Sequence, residues 1–192
     1  MATHQIRITG DDVADQVLSD DPFALLVGMM LDQQYPMEHA FRGPAKVLER
    51  FGTLDPARIA EADPEEFAAL CATAPAIHRF PGSMAARLQE LARIVAEEHG
   101  GDASRIWTGA ADGRDLLRRV MALPGFGKQK AQIFVALLAK QLQVRPRGWE
   151  AVVGDYALEG HRSVADVVDG ASLQKVRDFK KEKKAAARTK AI

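Results

Sequence analysis

The sequence predicts an all-α protein. Three observations carry this. Apolar residues recur at helical spacing over most of the chain. Three segments open on an Asp-Pro pair, at Asp21-Pro22, Asp55-Pro56 and Asp63-Pro64. Aspartate accepts a bond from a free N–H at a helix start, and proline has no N–H to lose in the first turn. Alternation suited to a strand is confined to Gln5–Thr9 (QIRIT). A chain of 192 residues is long enough for one good core or for two small lobes sharing a cleft.

The elements follow in order. After the short strand candidate, helices are expected over 11–18, 22–33, 37–51, 56–61, 64–71, 82–98, 113–122, 128–143 and 172–187. The segment Phe23–Leu31 (FALLVGMML) is apolar on every face and should run through the middle of the protein. Asp32-Gln33-Gln34-Tyr35-Pro36 then breaks the apolar run, and an amphipathic helix follows. Asp63 with Glu66 three residues later has the spacing of a capping box. His99 closes a helix before Gly100-Gly101, a position that the helix dipole explains.

The most informative stretch is Leu123-Pro124-Gly125-Phe126-Gly127-Lys128-Gln129-Lys130-Ala131, between two helical segments. The connection is too short and glycine-rich for anything but a tight hairpin. Pro124 ends the first helix, and Gly125 and Gly127 can take positive φ without steric cost. The second helix opens with unpaired N–H groups beside Lys128 and Lys130, which is a ready anion site. Lysines add charge there without sequence selectivity. An ordinary αα-corner is the bland alternative.

That string resembles the helix-hairpin-helix of the HhH-GPD base excision DNA glycosylases, a superfamily that includes endonuclease III, the adenine glycosylases and the alkyladenine glycosylases. Leu123, Pro124, Gly125, Phe126, Gly127 and Ala131 match its pattern. The resemblance extends in order over roughly residues 20 to 145. Leu31-Asp32-Gln33-Gln34 is similar to the family's corner, where a Gln reaches the DNA beside the flipped nucleotide, and Gln33 is the closer match. Phe80-Pro81-Gly82-Ser83-Met84-Ala85-Ala86-Arg87 is similar to the family's turn and basic helix, with Arg79 before it as a phosphate contact. The resemblance implies two helical lobes with a cleft between them, in one domain over residues 1–175; charge and terminal position add a basic, partly disordered tail over 176–192.

The chemistry implied by the resemblance departs from the family in two places. Strand-cutting members carry a Schiff-base lysine at the seventh hairpin position, and that position here is Gln129. Lys128 and Lys130 flank it, but neighbouring helix residues point about 100° apart. A monofunctional glycosylase with water as nucleophile is therefore expected, with Lys130 a weaker nucleophile candidate than phosphate contact. The family's catalytic aspartate follows the hairpin's second helix. Asp155 ranks first here, although it stands later than the family spacing leads one to expect, ahead of Glu150 and Asp166. Asp166 reads rather as the cap of a following turn.

Composition bounds the partners. The 26 basic and 26 acidic residues balance, yet the first 74 residues hold far more Asp and Glu than Lys and Arg, and the tail from Lys175 to Lys190 runs the other way. A nucleic-acid protein needs only one basic face, and the tail reads either as a solvated helix or as a DNA-contacting one. Cys71 stands alone, so a four-cysteine iron–sulfur cluster is excluded and a reducing, cytoplasmic setting fits. No apolar run approaches a membrane span, and the N-terminus lacks a secretory h-region. No zinc spacing occurs; no cofactor is expected beyond a monovalent cation at the hairpin. Trp107, Trp149 and Tyr35 read as packing residues before base-stacking ones, and His39 and His78 as surface and loop residues. The expectation is a monomeric repair protein on damaged double-stranded DNA. The competing readings are a catalytically silent binder of distorted duplex and a helical protein that binds no DNA.

Overall fold

The computed structural model describes residues 4–191, which form helices and turns with no strand among them. Residues 5–9 do alternate, with Ile6 and Ile8 buried and Gln5 and Arg7 exposed, but no second strand lies beside them. Ile6 N–H donates to Ser19 Oγ at 2.9 Å, and Ile8 and Thr9 N–H donate to Asp15 Oδ1 at 3.1 and 2.9 Å. Side chains of the first helix thus satisfy the backbone that a sheet neighbour would otherwise satisfy. The strand expectation is corrected to an extended segment.

Helix α1 (Asp12–Asp20) leads into α2 (Pro22–Leu31), where Asp21 accepts from Phe23 and Ala24 N–H. Phe23 to Leu31 are buried without exception, as an all-apolar helix requires. Gly28 has a packing reason: a Cβ there would stand 2.5 Å from the Phe41 ring. The helix expected over 37–51 is two, α3 (Met37–Ala40) and α4 (Gly43–Phe51). Pro44 is the reason, because it fits a first turn and not a helix interior. Helices α5 (Pro56–Glu61) and α6 (Pro64–Ala72) begin on the Asp55 and Asp63 caps. Glu66 returns no side-chain bond to Asp63, so only half of the expected capping box forms. Helix α7 (Pro81–Glu98) packs across α5 and α6. Its buried Gln89 donates to Ile59 O and Ala62 O at 3.1 and 2.9 Å, satisfying both its amide and the end of α5.

A second group follows. The short helices α8 (Arg105–Thr108) and α11 (Trp149–Val153) lie outside the sequence-predicted elements; each is too short to show a period. Helices α9 (Gly113–Met121) and α10 (Lys128–Gln141) form the hairpin. Turns at 154–157 and 164–166 lead into α12 (Gly170–Lys190). Asp169 caps α12 through Ser172, and the helix runs unbroken past the boundary expected at 175/176. Helices α1–α7 pack chiefly among themselves, as do α8–α12, and the buried side chains of both groups form one continuous cluster. Cys71 belongs to that cluster, and burial pushes its thiol up to about 12, a structural thiol. Among the described residues no helix is long and apolar enough to cross a membrane.

Candidate functional site

Leu123 and Phe126 are buried and pin the hairpin turn, with Phe126 set edge-on to Phe134 at 5.9 Å. Gly125 has φ +81, and a Cβ there would stand 2.9 Å from Arg87 Cδ and 3.3 Å from Met30 Cγ. The conformation calls for glycine, and a Cβ would also make the Arg87 side chain shift. Gly127 is different: its φ of −72 is open to any residue, which corrects the expectation of positive φ at both positions. A Cβ at Gly127 would meet nothing within 4 Å. What this residue keeps clear is the approach to the start of α10. No side chain caps that helix, and its first closing bond runs from Ala131 N–H to Gly127 O at 2.9 Å. The N–H groups of Lys128, Gln129 and Lys130 have no acceptor among the described residues, beside the exposed Lys128, where the dipole of α10 favours an anion.

Lys130 does not join Lys128 at that opening. Its Nζ donates to Met30 O at 2.8 Å, in the last turn of α2, and stands 5.9 Å from the Phe126 ring centre. Burial lowers its pKa to about 8; Asp32 opposes the shift and Arg87 adds to it. The expected phosphate contact at the hairpin mouth is thus engaged inward, leaving Lys128 as the lysine beside the open amides.

Beside Lys130 lies an open cavity of about 700 Å³. Asp32, Gln34 and Tyr35 from the end of α2 line one side, and Gln129, Lys130 and Ile133 from α10 another. Gln34 has φ +50, an αL corner that amide side chains tolerate better than most. Gln129 Nε2 donates to Tyr156 Oη at 2.8 Å, fixing the seventh hairpin residue against the same space. Asp32 is the one carboxylate on the cavity wall among the described residues. Burial raises its pKa, while Lys180 and Lys130 pull it back down.

The remaining expected residues fall elsewhere. Gln33 does not line the cavity: its amide donates to Met84 Sδ at 3.3 Å, and its carbonyl accepts from His78 Nε2 at 3.0 Å. Phe80 N–H donates to His78 Nδ1 at 3.1 Å, so the proton of this buried ring sits on Nε2. Burial is the first cause that lowers the His78 pKa. Arg79 is exposed, stacked over Phe80 at 4.8 Å. Asp155 is exposed on the 154–157 turn and is not part of the cavity wall, although the adjacent Tyr156 is. Glu150 is exposed in α11. Asp166 accepts from Arg162 and Ser163 N–H at 2.8 and 3.2 Å and pairs with Lys140 at 2.6 Å; it caps a turn.

Sequence reasoning did not single out Asp32 or Gln34, which line the cavity. An acid set directly after nine apolar residues was the signal for Asp32. It passed as part of the polar break, because the family pattern drew attention to the glutamine after it.

Residues 27–191 match the family model described as "HhH-GPD superfamily base excision DNA repair protein". Searches of curated proteins and of solved structures returned no match.

Proposed function

Because the chain belongs to the HhH-GPD superfamily of base excision DNA repair proteins, we propose that it is a monofunctional glycosylase that extrudes a damaged base from duplex DNA and hydrolyses its N-glycosidic bond. The observation that carries this reading is the shared cavity. The end of the central helix and the start of the hairpin's second helix wall one space, next to open amides suited to a phosphate. In this reading a nucleotide whose phosphate rests on the α10 start places its base in that space. Extrusion is what exposes a glycosidic bond to protein groups.

In this reading Gly125 and Gly127 shape the phosphate site, Lys128 adds charge, and Arg87 and Arg79 serve the flanking backbone. Gln34 replaces Gln33 as the amide facing the extruded base. Water supplies the hydroxyl to C1′, the base departs with the bonding pair, and a carboxylate stabilises the positive sugar and receives the water's proton. Asp155 and Asp32 both remain candidates for that carboxylate; the cavity wall favours Asp32. Gln129 has no amine to attack C1′, so no strand cleavage follows. The protein acts as a monomer on one lesion at a time.

The test is base release from a panel of damaged duplexes, with Asp32→Asn and Asp155→Asn measured beside wild type. Loss of release with binding retained in Asp32→Asn supports Asp32; the same result in Asp155→Asn instead assigns the turn residue. The second reading, a catalytically silent binder, draws on the position of Asp155 outside the cavity. It prevails if wild type binds lesion duplexes with a clear salt dependence yet releases no base from any of them.

A further inference from the structure

The remaining wall of the cavity is unlike the others. It is the second half of α12, whose Lys180, Lys183, Lys184 and Ala187 line the cavity. Their spacing of i, i+3, i+4 and i+7 places them on one face of a helix. The two acids of this stretch are off that face: Asp178 and Glu182 are each two positions from Lys180, about 160° around the helix, and Gln174 Nε2 donates to Asp178 at 3.0 Å. Lys181, Arg188 and Lys190 carry positive charge off the cavity wall, but the face on the cavity holds lysines with no acid among them.

The first half of α12 roots it. Ser172 and Val176 are buried, and Arg177 pairs with the buried Glu38 of α3. Beyond Lys180 every residue to Ala191 is exposed, so little packing holds the last turns in place. Lys183 stands 5.9 Å from the Tyr156 ring centre, and Arg162 5.8 Å from that of Phe179. With Arg162 and Lys130, the three lysines put five cations around a space whose wall offers one carboxylate among the described residues. Like charges converging on a cavity repel one another unless an anion joins them.

We propose that the Lys180–Lys183–Lys184 face of α12 is a second phosphate-binding element, which holds the DNA backbone on the side of the cavity opposite the hairpin. This deepens the DNA-repair reading and rests on it. The strand bearing the extruded nucleotide is gripped at two places, on uncharged amides at the α10 start and on lysine ammonium groups of α12. The chemistry is that of a phosphodiester backbone: the lysines bring charge without base selectivity, and a run of three along a helix suits consecutive phosphates better than one free anion.

The experiment uses the full chain and a duplex carrying a tetrahydrofuran abasic-site analogue, with affinity measured from 50 to 200 mM salt. Each phosphate neutralised contributes roughly 0.9 to the slope of log K against log salt. K180Q/K183Q/K184Q should flatten that slope by about 2 to 3 and weaken binding at least tenfold at low salt, while K180R/K183R/K184R keeps the wild-type slope. The far-ultraviolet circular dichroism of both variants should match wild type. If wild type binds and the glutamine variant keeps its slope and affinity, the α12 assignment is overturned while the hairpin reading stands. If the arginine variant loses as much as the glutamine variant, the lysines act through structure and the assignment fails. If wild type binds no duplex even at low salt, the DNA reading and this inference fall together.

Discussion

Lys130 offers the sharpest test of the cavity, through its proton. Burial lowers its pKa from 10.5 to about 8 in the folded chain, whereas the unfolded chain keeps the ordinary value. Between those values the unfolded state holds more protons, so stability rises with pH across the window from about 8 to 10.5. Below pH 8 both states are protonated and Lys130 adds no slope. At full strength the gap corresponds to roughly 3 kcal/mol, and partial exposure of the side chain screens this to about 1–2 kcal/mol. Lys130→Met keeps the chain length but cannot titrate. Urea unfolding of wild type and variant at pH 7.5, 8.5, 9.5 and 10.5 isolates the effect, because other lysines and tyrosines are common to both. The stability difference should move in favour of wild type by about 1–2 kcal/mol from the lowest pH to the highest, a shift of a few degrees in Tm. A difference that stays constant over this range would refute the inward placement of the ammonium against Met30 O.

Two further outcomes follow from packing and from the hairpin. A Cβ at Gly113 would stand 2.7 Å from Trp149 N and Cα, which are backbone atoms and cannot rotate aside; Gly113 N–H also donates to Arg147 O at 2.9 Å. Gly113→Ala should therefore destabilise by about 2 kcal/mol and lower Tm by about 4–8 °C, and an unchanged melting curve would show the two segments to be less closely packed than described. With Gln129 at the lyase position and Lys130 bonded to Met30 O, borohydride should trap no covalent complex with an abasic duplex. A trapped complex that disappears in Lys130→Met would make Lys130 the nucleophile and the enzyme bifunctional.

Much of this was legible in the sequence because it depends on local chemistry. Asp21, Asp55 and Asp63 announce their helices through the N–H groups they accept from, and Phe23–Leu31 announces its burial because no face of it suits water. The hairpin was legible for the same reason, as a proline, two glycines and the helix that follows. What escaped depends on contacts distant in sequence. Lys130 and Met30 are 100 residues apart, and only the folded chain turns that lysine inward. Ile6 and Ile8 alternate like a strand because one face is buried, but alternation cannot say whether the neighbour is a strand or the side chains of α1. The family pattern drew attention to Gln33, whereas the αL turn at Gln34 presents that residue and Asp32 to the cavity. No spacing rule reveals such a turn at a non-glycine position.

The bond from Lys130 to Met30 O makes the molecule a gauge. It ties the start of the hairpin helix to the end of the fully buried central helix, so the open amides and the cavity are held in register by one bond. A hairpin pulled away by DNA would strand the Met30 carbonyl and the ammonium together, at about 1–3 kcal/mol for each unsatisfied group. On the proposed glycosylase reading, the DNA rather than the protein bends and unstacks to fit, and lesions that already loosen their base pair meet this measure at the least expense.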